Sequence, residues 1–228
     1  MLIHLRLARL QIAAAALLGL ATAARADFVV SNPTQAAFAA ATFGSTDTFG
    51  NLSIGPDAIG ASLNRSAGAI DYTVSTANNF YVGTRAGSGG PILAVEQNTD
   101  SITFGSFLSG TRAFGAYLWL TDAQSSSVTG SVTITATDIN GLTRTTTLAQ
   151  TFGGNSNNST TTPIFYGVTS DFNLLSISVS STLPTVNASQ SFVSADSITL
   201  SPVPEPSSIL LMLAGGAFML SRVARRRG

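Results

Sequence analysis

The sequence predicts an all-β domain: an antiparallel two-sheet β-sandwich with a jelly-roll-like order, flanked by an N-terminal signal helix and a single C-terminal membrane helix. Two observations favour the sandwich. Segments such as 70–74 and 132–136 alternate apolar and polar residues, as half-buried antiparallel strands do. Turn sequences rich in Gly and Asn separate such segments, at 87–91, 138–141 and 153–158. About nine to eleven short strands at this spacing favour two packed sheets.

The first 26 residues have the three parts of a secretory signal peptide. Arg6 and Arg9 give a positive start, and an apolar run follows from Leu10 to Ala21. The tripeptide Ala-Arg-Ala that ends at Ala26 fits the small-x-small cleavage rule, so Asp27 becomes the first mature residue. A helix belonging to the fold is the alternative, but the run lacks a polar face. We therefore expect recognition by the Sec translocon and cleavage by signal peptidase.

Residues 27–201 form the predicted sandwich domain, and their composition excludes several functions. The chain has no Cys and no Lys, and its one histidine, His4, lies in the leader. Nucleophilic mechanisms that use a histidine base and zinc sites of Cys and His therefore lack their residues. Ten carboxylates face four arginines between Asp27 and Ser201, about −6 in total. An acidic domain without a basic patch argues against nucleic-acid binding.

The mature chain begins with a strand and a short helix. Phe28–Val30 predicts the strand. Asn32 is the expected cap of a helix from Thr34 to Ala41, with Pro33 at its first position and Gly44 at its end.

The longest apolar strand, 114–120, is expected to lie centrally in its sheet. Tyr117 and Trp119 share one face of it, opposite the two neighbouring leucines. Exposed aromatic rings here, with Tyr81 and Tyr166, would let the domain bind carbohydrate by stacking; a tryptophan buried in the core is the alternative. Asn140-Gly141, between two strands, predicts a hairpin turn.

The remaining candidates for chemistry are carboxylates. A glycosidase needs two of them about 5–9 Å apart, and four residues could contribute: Glu96, Asp100, Asp122 and Asp196. None lies in a recognisable motif, and capping of turns explains most aspartates here, as at Asp138 before Asn140-Gly141. We therefore expect a non-enzymatic protein, with a glycan-acting enzyme as a weaker alternative.

We expect no cofactor, with calcium as the alternative. Secreted sandwich domains bind this ion through Asp and backbone oxygens. Asp47, near the early strands, and Asp196, entering the last strand, would share a site if their strands are neighbours.

Residues 202–228 form a separate tail with three parts. Pro204, Glu205 and Pro206 keep the chain extended. An apolar stretch, Ile209–Leu220, then gives about 18 Å of helix, short against a hydrocarbon core of about 30 Å. A cluster of arginines ends the chain and should stay in the cytoplasm. An ordinary membrane anchor is the alternative.

This tail resembles the PEP-CTERM sorting signal of Gram-negative bacteria. The resemblance covers Val203 to Gly228 and implies that Pro204, Glu205 and Pro206 are recognised by exosortase, an integral membrane cysteine protease. It also implies an inner-membrane precursor that is processed and delivered to the cell surface or the extracellular matrix, in the context of exopolysaccharide or biofilm. We expect a structural or adhesive protein whose partners include extracellular polysaccharide.

Overall fold

The computed structural model describes residues 28–31, 33–55, 57–84, 90–108, 110–150, 163–182 and 191–202. The predicted signal peptide, its cleavage site at Ala26 and Asp27, and the tail from Val203 onward lie outside the described residues. Within the described ranges, no helix is both long and apolar enough to cross a bilayer.

The described residues form one helix and fourteen strands. In chain order they are β1 (Phe28–Ser31), α1 (Gln35–Thr42), β2 (Ser45–Asp47), β3 (Ser62–Ala67), β4 (Ile70–Ser75), β5 (Phe80–Thr84), β6 (Pro91–Val95), β7 (Ile102–Gly105), β8 (Ala113–Thr121), β9 (Ser127–Val128), β10 (Gly130–Asp138), β11 (Thr143–Gln150), β12 (Phe165–Ser170), β13 (Leu174–Thr182) and β14 (Phe192–Ser201).

The strands make two antiparallel sheets, which confirms the predicted sandwich. Sheet A has the order β1-β12-β8-β14-β6-β5, with β2 also paired to β14 and β9 to β8. Sheet B has the order β11-β10-β13-β7-β4-β3. The chain changes sheets repeatedly, so most pairings in either sheet join distant parts of the sequence.

The core lies between the sheets and follows from the alternation along each strand. From β8 of sheet A, Phe114 and Leu118 point inward, and Phe104 and Ile134 face them from sheet B, all fully buried. The rings of Phe104 and Phe114 are 5.1 Å apart, which is a favourable aromatic separation. Burial of this apolar surface is the main stabilising contribution that a chain without cysteines has available.

The predicted central position of 114–120 is also confirmed. β8 lies inside sheet A between β12 and β14. Along its edge away from β8, β14 pairs first with β6 through Ser194 and Ala195, and then with β2 from Ile198 to Leu200. The change of partner coincides with an irregularity in the pairing after Asp196, where Ser197 has a φ of 57°. An extra residue of this kind is a β-bulge, which bends the strand.

The early helix forms one residue later than predicted. Thr34 is its cap, because the Thr34 hydroxyl accepts a hydrogen bond from the Ala37 N–H at 3.2 Å. The predicted cap, Asn32, lies outside the described residues. Phe43, the residue that follows the helix, adopts the left-handed conformation that is expected of a glycine. Phe43 therefore terminates the helix in place of the predicted Gly44.

The helix lies against the outer face of sheet A because two glycines make room for it. The Phe38 ring packs on Phe165, 5.6 Å between centroids. A Cβ at Gly167 would lie 2.7 Å from the Phe38 ring, and one at Gly115 would lie 2.8 Å from it. These two positions therefore accept only glycine without displacing the helix.

The predicted hairpin at Asn140-Gly141 joins β10 to β11. Gly141 has a φ of 80°, and the Asp138 carboxylate accepts hydrogen bonds from the Asn140 and Leu142 N–H groups. Asp138 thus caps this turn, as the sequence indicated.

Candidate functional site

The tail leaves the fold from an interior strand. β14 ends at Ser201, whose carbonyl accepts a hydrogen bond from the Arg112 N–H at 2.9 Å and whose hydroxyl donates to the Thr42 carbonyl. Ser201 is buried. The predicted recognition triplet, Pro204 to Pro206, thus begins three residues beyond a fixed point of the sandwich, although the triplet itself lies outside the described residues.

We call the end of the sandwich where β14 finishes the exit end, and the opposite end the far end. β8, β11 and β13 begin at the exit end, whereas β10 and β12 finish there. β1 and β2 also begin at this end. The exit end therefore gathers the start of the mature domain and the departure point of the tail.

A groove of about 340 Å³ lies at the far end, on the outer side of sheet A. Its walls include a tyrosine, a phenylalanine and two carboxylates: Tyr81, Phe192, Glu96 and Asp122. Antiparallel pairing of β5 with β6 places Tyr81 opposite Ala94, so the ring stands beside a small residue. The groove thus combines aromatic surface with hydrogen-bond acceptors, which is the composition of many small-ligand sites.

Glu96 is oriented by its neighbours in the groove. The Asn79 side chain donates a hydrogen bond to one carboxylate oxygen at 2.7 Å, and the Tyr81 hydroxyl donates to the other at 3.4 Å. The negative charge of Glu96 raises the pKa of Tyr81 above its usual value, so the hydroxyl stays protonated at neutral pH. Glu96 and the Tyr81 hydroxyl therefore present polar groups in fixed positions beside the Tyr81 ring.

Asp122, which also lines the groove, has a structural role. Its carboxylate accepts hydrogen bonds from the Gln124 and Ser126 N–H groups at 2.9 and 2.8 Å. It therefore caps the turn between β8 and β9.

The structure places Trp119 and Tyr117 on one face of β8, as the alternation predicted; this is the outer face of sheet A, and it leaves no free tryptophan face. Trp119 is 1% exposed and packs on Ile92 and Tyr117. Tyr117 is half-buried and meets Phe165 edge to face, 5.2 Å between centroids. A sugar ring cannot stack on Trp119 in this fold, so the aromatic residues that the described walls of the groove offer to a ligand are Tyr81 and Phe192.

Asp47 and Asp196 do lie on neighbouring strands, because Asp47 pairs with Ile198. Their carboxylates nevertheless do not meet. Asp196 pairs with Tyr117 on the outer face of sheet A, whereas Asp47 points between the sheets. The described residues contain no group of three or more acidic or histidine side chains placed to hold a metal ion. The structure therefore does not bring these two carboxylates together, as the calcium hypothesis required.

Asp47 instead belongs to an ion pair between the two sheets, which we call the inter-sheet clamp (Asp47, Arg65 and Tyr72). Arg65 of β3 donates two hydrogen bonds to the Asp47 carboxylate, at 2.6 and 2.9 Å. The Tyr72 hydroxyl of β4 donates a third at 2.8 Å, and the Phe49 N–H a fourth. The side chains of Asp47 and Arg65 are 7% and 8% exposed.

The clamp affects the ionisation of Tyr72 and Arg65. Burial and the charge of Asp47 both raise the pKa of Tyr72 well above its usual value. Burial alone would lower the pKa of Arg65, but the contact with Asp47 outweighs it and the pKa is raised. A cation at Asp47 would have to displace the Arg65 guanidinium.

Sequence reasoning missed Arg65, Tyr72 and Gln150. The Gln150 side chain donates to the Leu118 carbonyl, at a point of β8 between its pairings with β12 and β9. It satisfies a backbone group that neither strand reaches. For Arg65, the signal was its position between Leu63 and Ala67, where alternation directs a side chain inward.

The outer face of sheet B carries hydroxyl groups in register. Thr135 lies opposite Thr145, with 3.1 Å between their hydroxyl oxygens, and Thr133 lies opposite Thr147. Ser178 continues the row on β13. These five side chains are uncharged and at least partly exposed, and we call them the hydroxyl face (Thr133, Thr135, Thr145, Thr147 and Ser178).

Residues 202–227 match the family model described as the PEP-CTERM protein-sorting motif. The chain carries that motif, as the sequence predicted. No curated protein matches the chain.

Two solved structures are weakly similar to the sandwich. One holds the CBM22-1 and GH10 modules of the Clostridium thermocellum endo-1,4-β-D-xylanase 10B with xylohexaose, at 10% identity and a TM-score of 0.33, over 68% of this chain and 27% of that one. The other is an arabinose-bound MgGH51 α-L-arabinofuranosidase, at 12% identity and a TM-score of 0.23, over 69% and 25%. This chain spans about a quarter of the length of each.

Proposed function

Because the chain carries a PEP-CTERM sorting motif, we propose that it is an exported, non-enzymatic protein, processed by exosortase and used as a structural or adhesive component outside the cell. The observation that carries the proposal is the motif at 202–227, directly after the last described strand of the sandwich. Its location would change from an inner-membrane precursor to the cell surface or extracellular matrix.

The join between fold and tail supports processing in the folded state. Ser201 is held by Arg112 and by Thr42, so cleavage near the Pro-Glu-Pro triplet would leave both sheets intact. In the part of the chain that the structure describes, every strand of both sheets ends at or before Ser201. A released domain would therefore keep its structure.

An adhesive role is supported by the hydroxyl face of sheet B. The rows of hydroxyl groups on β10, β11 and β13 match the hydroxyl groups of a polysaccharide without requiring the desolvation of a charge. Such a surface favours many weak contacts over one tight site.

The proposal that the protein is not an enzyme is supported by the structural roles of its carboxylates. Asp122 and Asp138 cap turns, and Asp47 holds Arg65. Asp100 accepts two hydrogen bonds from the Asn78 side chain.

Fractionation of cells with and without exosortase tests the proposal. With the protease, we expect the protein in the extracellular and surface fractions. Without it, we expect accumulation in the membrane fraction. A protein found in the same fraction in both strains would contradict the proposal.

A second candidate function is carbohydrate binding in the far-end groove. The specific observation is Tyr81 beside the oriented Glu96, a ring for stacking next to an acceptor for sugar hydroxyls. Pull-down on the exopolysaccharide of the producing cell should weaken at least fivefold on Tyr81→Ala. The exposed Phe43 at the opposite end gives the matched control, Phe43→Ala. Equal binding by both variants would exclude the groove.

A further inference from the structure

Exposed apolar side chains concentrate at the exit end. Eight large apolar side chains are exposed in the described part of the chain, and all but Ile54 lie at or within two residues of that end. Among those in turns or loops, the most exposed are Phe43 at 81% and Ile139 at 56%. Five of these residues occupy turns or loops, and we call them the exit face: Phe43, Leu108, Ile139, Leu142 and Phe172.

The loops of the exit face are joined by backbone hydrogen bonds. The Ile139 N–H donates to the Asn173 carbonyl at 3.0 Å, which links the β10–β11 and β12–β13 turns. The Leu174 N–H donates to the Thr111 carbonyl at 2.8 Å, which links the second of these turns to the loop of Leu108. Phe43 follows Thr42, which is joined to this loop through Ser201 and Arg112. The apolar tips therefore belong to one connected surface. Exposed apolar surface of this kind marks an interaction site.

Charge is distributed unevenly between the two ends. Arg112 and Arg144 lie at the exit end together with Asp71, Asp138 and Asp171, so that the net charge of these five residues is about −1. The far end carries four carboxylates and, in the described ranges, no arginine: Asp57, Glu96, Asp100 and Asp122. An anionic membrane surface would therefore repel the far end more than the exit end.

The length of the connecting chain brings the exit end to the bilayer. Eight peptide steps separate Ser201 from Ile209, the first residue of the apolar stretch. They span at most about 28 Å when fully extended. The headgroup region takes up about 5–7 Å of that distance. The exit end thus stays within roughly 20 Å of the headgroups whenever the apolar stretch is in the membrane.

We propose that the exit face rests on the lipid headgroups of the inner membrane while the precursor is anchored. This inference rests on the proposed function, because it requires the membrane-held precursor. Apolar tips enter the interface, and the four far-end carboxylates point away from it. The Pro-Glu-Pro triplet is then held at the membrane surface, where an integral membrane protease acts. Processing releases the domain from the tether and weakens the contact.

A single fluorescent label tests the orientation, because a chain without cysteine accepts one at a chosen position. The full chain is reconstituted into vesicles of phosphatidylethanolamine and phosphatidylglycerol that contain a headgroup nitroxide lipid. Asn140→Cys reports on the exit face and Thr99→Cys on the far end; both positions are exposed. We expect quenching at residue 140 at least twofold stronger than at residue 99.

Substitution of the apolar tips gives the second arm. The variant Phe43→Ser, Leu108→Ser, Phe172→Ser should lower quenching at residue 140 to the level at residue 99, whereas Ile54→Ser should not. Emission from the buried Trp119 checks that each variant is folded.

The outcomes separate the two proposals. A chain that fails to float with the vesicles overturns both the anchored precursor and the exit-face contact. A chain that floats but is quenched equally at both labels overturns the exit-face contact alone. If the triple variant keeps its quenching but is processed more slowly in cells, the face contacts exosortase rather than lipid, and the lipid proposal is wrong.

Discussion

Replacing Arg65 by methionine would leave the Asp47 carboxylate buried without its cation. In the inter-sheet clamp, Arg65 supplies two of the four hydrogen bonds to Asp47 and its whole counter-charge. Methionine keeps much of the aliphatic volume, so the change mainly removes the ion pair. The effect on stability therefore measures mainly the cost of leaving the Asp47 charge unpaired.

The size of the effect follows from burial. Loss of one partner of a buried ion pair costs about 3–5 kcal/mol. Asp47 retains the Tyr72 hydroxyl and the Phe49 N–H, which places the expected loss near the lower limit, about 3 kcal/mol. Tyr72→Phe removes one hydrogen bond to a charged group and should cost about 1.5–3 kcal/mol.

Urea unfolding of residues 27–201 at pH 7, followed by emission from the one tryptophan, gives these free energies. The matched control is Arg144→Met, since Arg144 is exposed on β11; we expect a change within about 0.5 kcal/mol. Adding Asp47→Leu to Arg65→Met should restore part of the lost stability, because no charge is then left buried. A loss below about 1 kcal/mol for Arg65→Met, or no recovery in the double variant, would refute the reasoning.

Two further predictions concern the core and the helix. Burial raises the pKa of Tyr166 to about 12, so the stability from its neutral form is fully present below pH about 10 and is lost as the pH rises to about 12. Over that range, the free energy of unfolding of the Tyr166→Phe variant should therefore fall by about 2–3 kcal/mol less than that of the wild type, as measured by urea unfolding. The same dependence of stability on pH in both proteins would contradict this. Gly167→Ala should cost about 1–3 kcal/mol, because its Cβ meets the Phe38 ring. Phe38→Ala in the same chain should remove much of that penalty, and a Gly167→Ala variant as stable as the wild type would show that the helix is not seated on this glycine.

The sandwich could be predicted because local patterns determine it. Alternation along 132–136 fixes which residues face the core, and Asn140-Gly141 fixes a hairpin. The helix was misplaced by one residue because Thr34, the actual cap, competed with Asn32 within the same short segment.

Pairings between distant residues could not be predicted. Asp47 and Arg65 lie on different sheets, and their contact depends on β2 joining β14 beside the bulge. Trp119 is buried on the outer face of sheet A, and alternation along the strand does not show that this face is covered there. The far-end groove likewise needs β5, β6 and β8 brought together by the sheet order. Local pattern carries no information about such neighbours.

Intact mass of the protein from cells with and without exosortase tests the sorting claim most directly. The account predicts a full tail in the absence of the protease and, in its presence, a chain that ends at or near Pro204 to Pro206. The same C-terminal mass in both strains would contradict it.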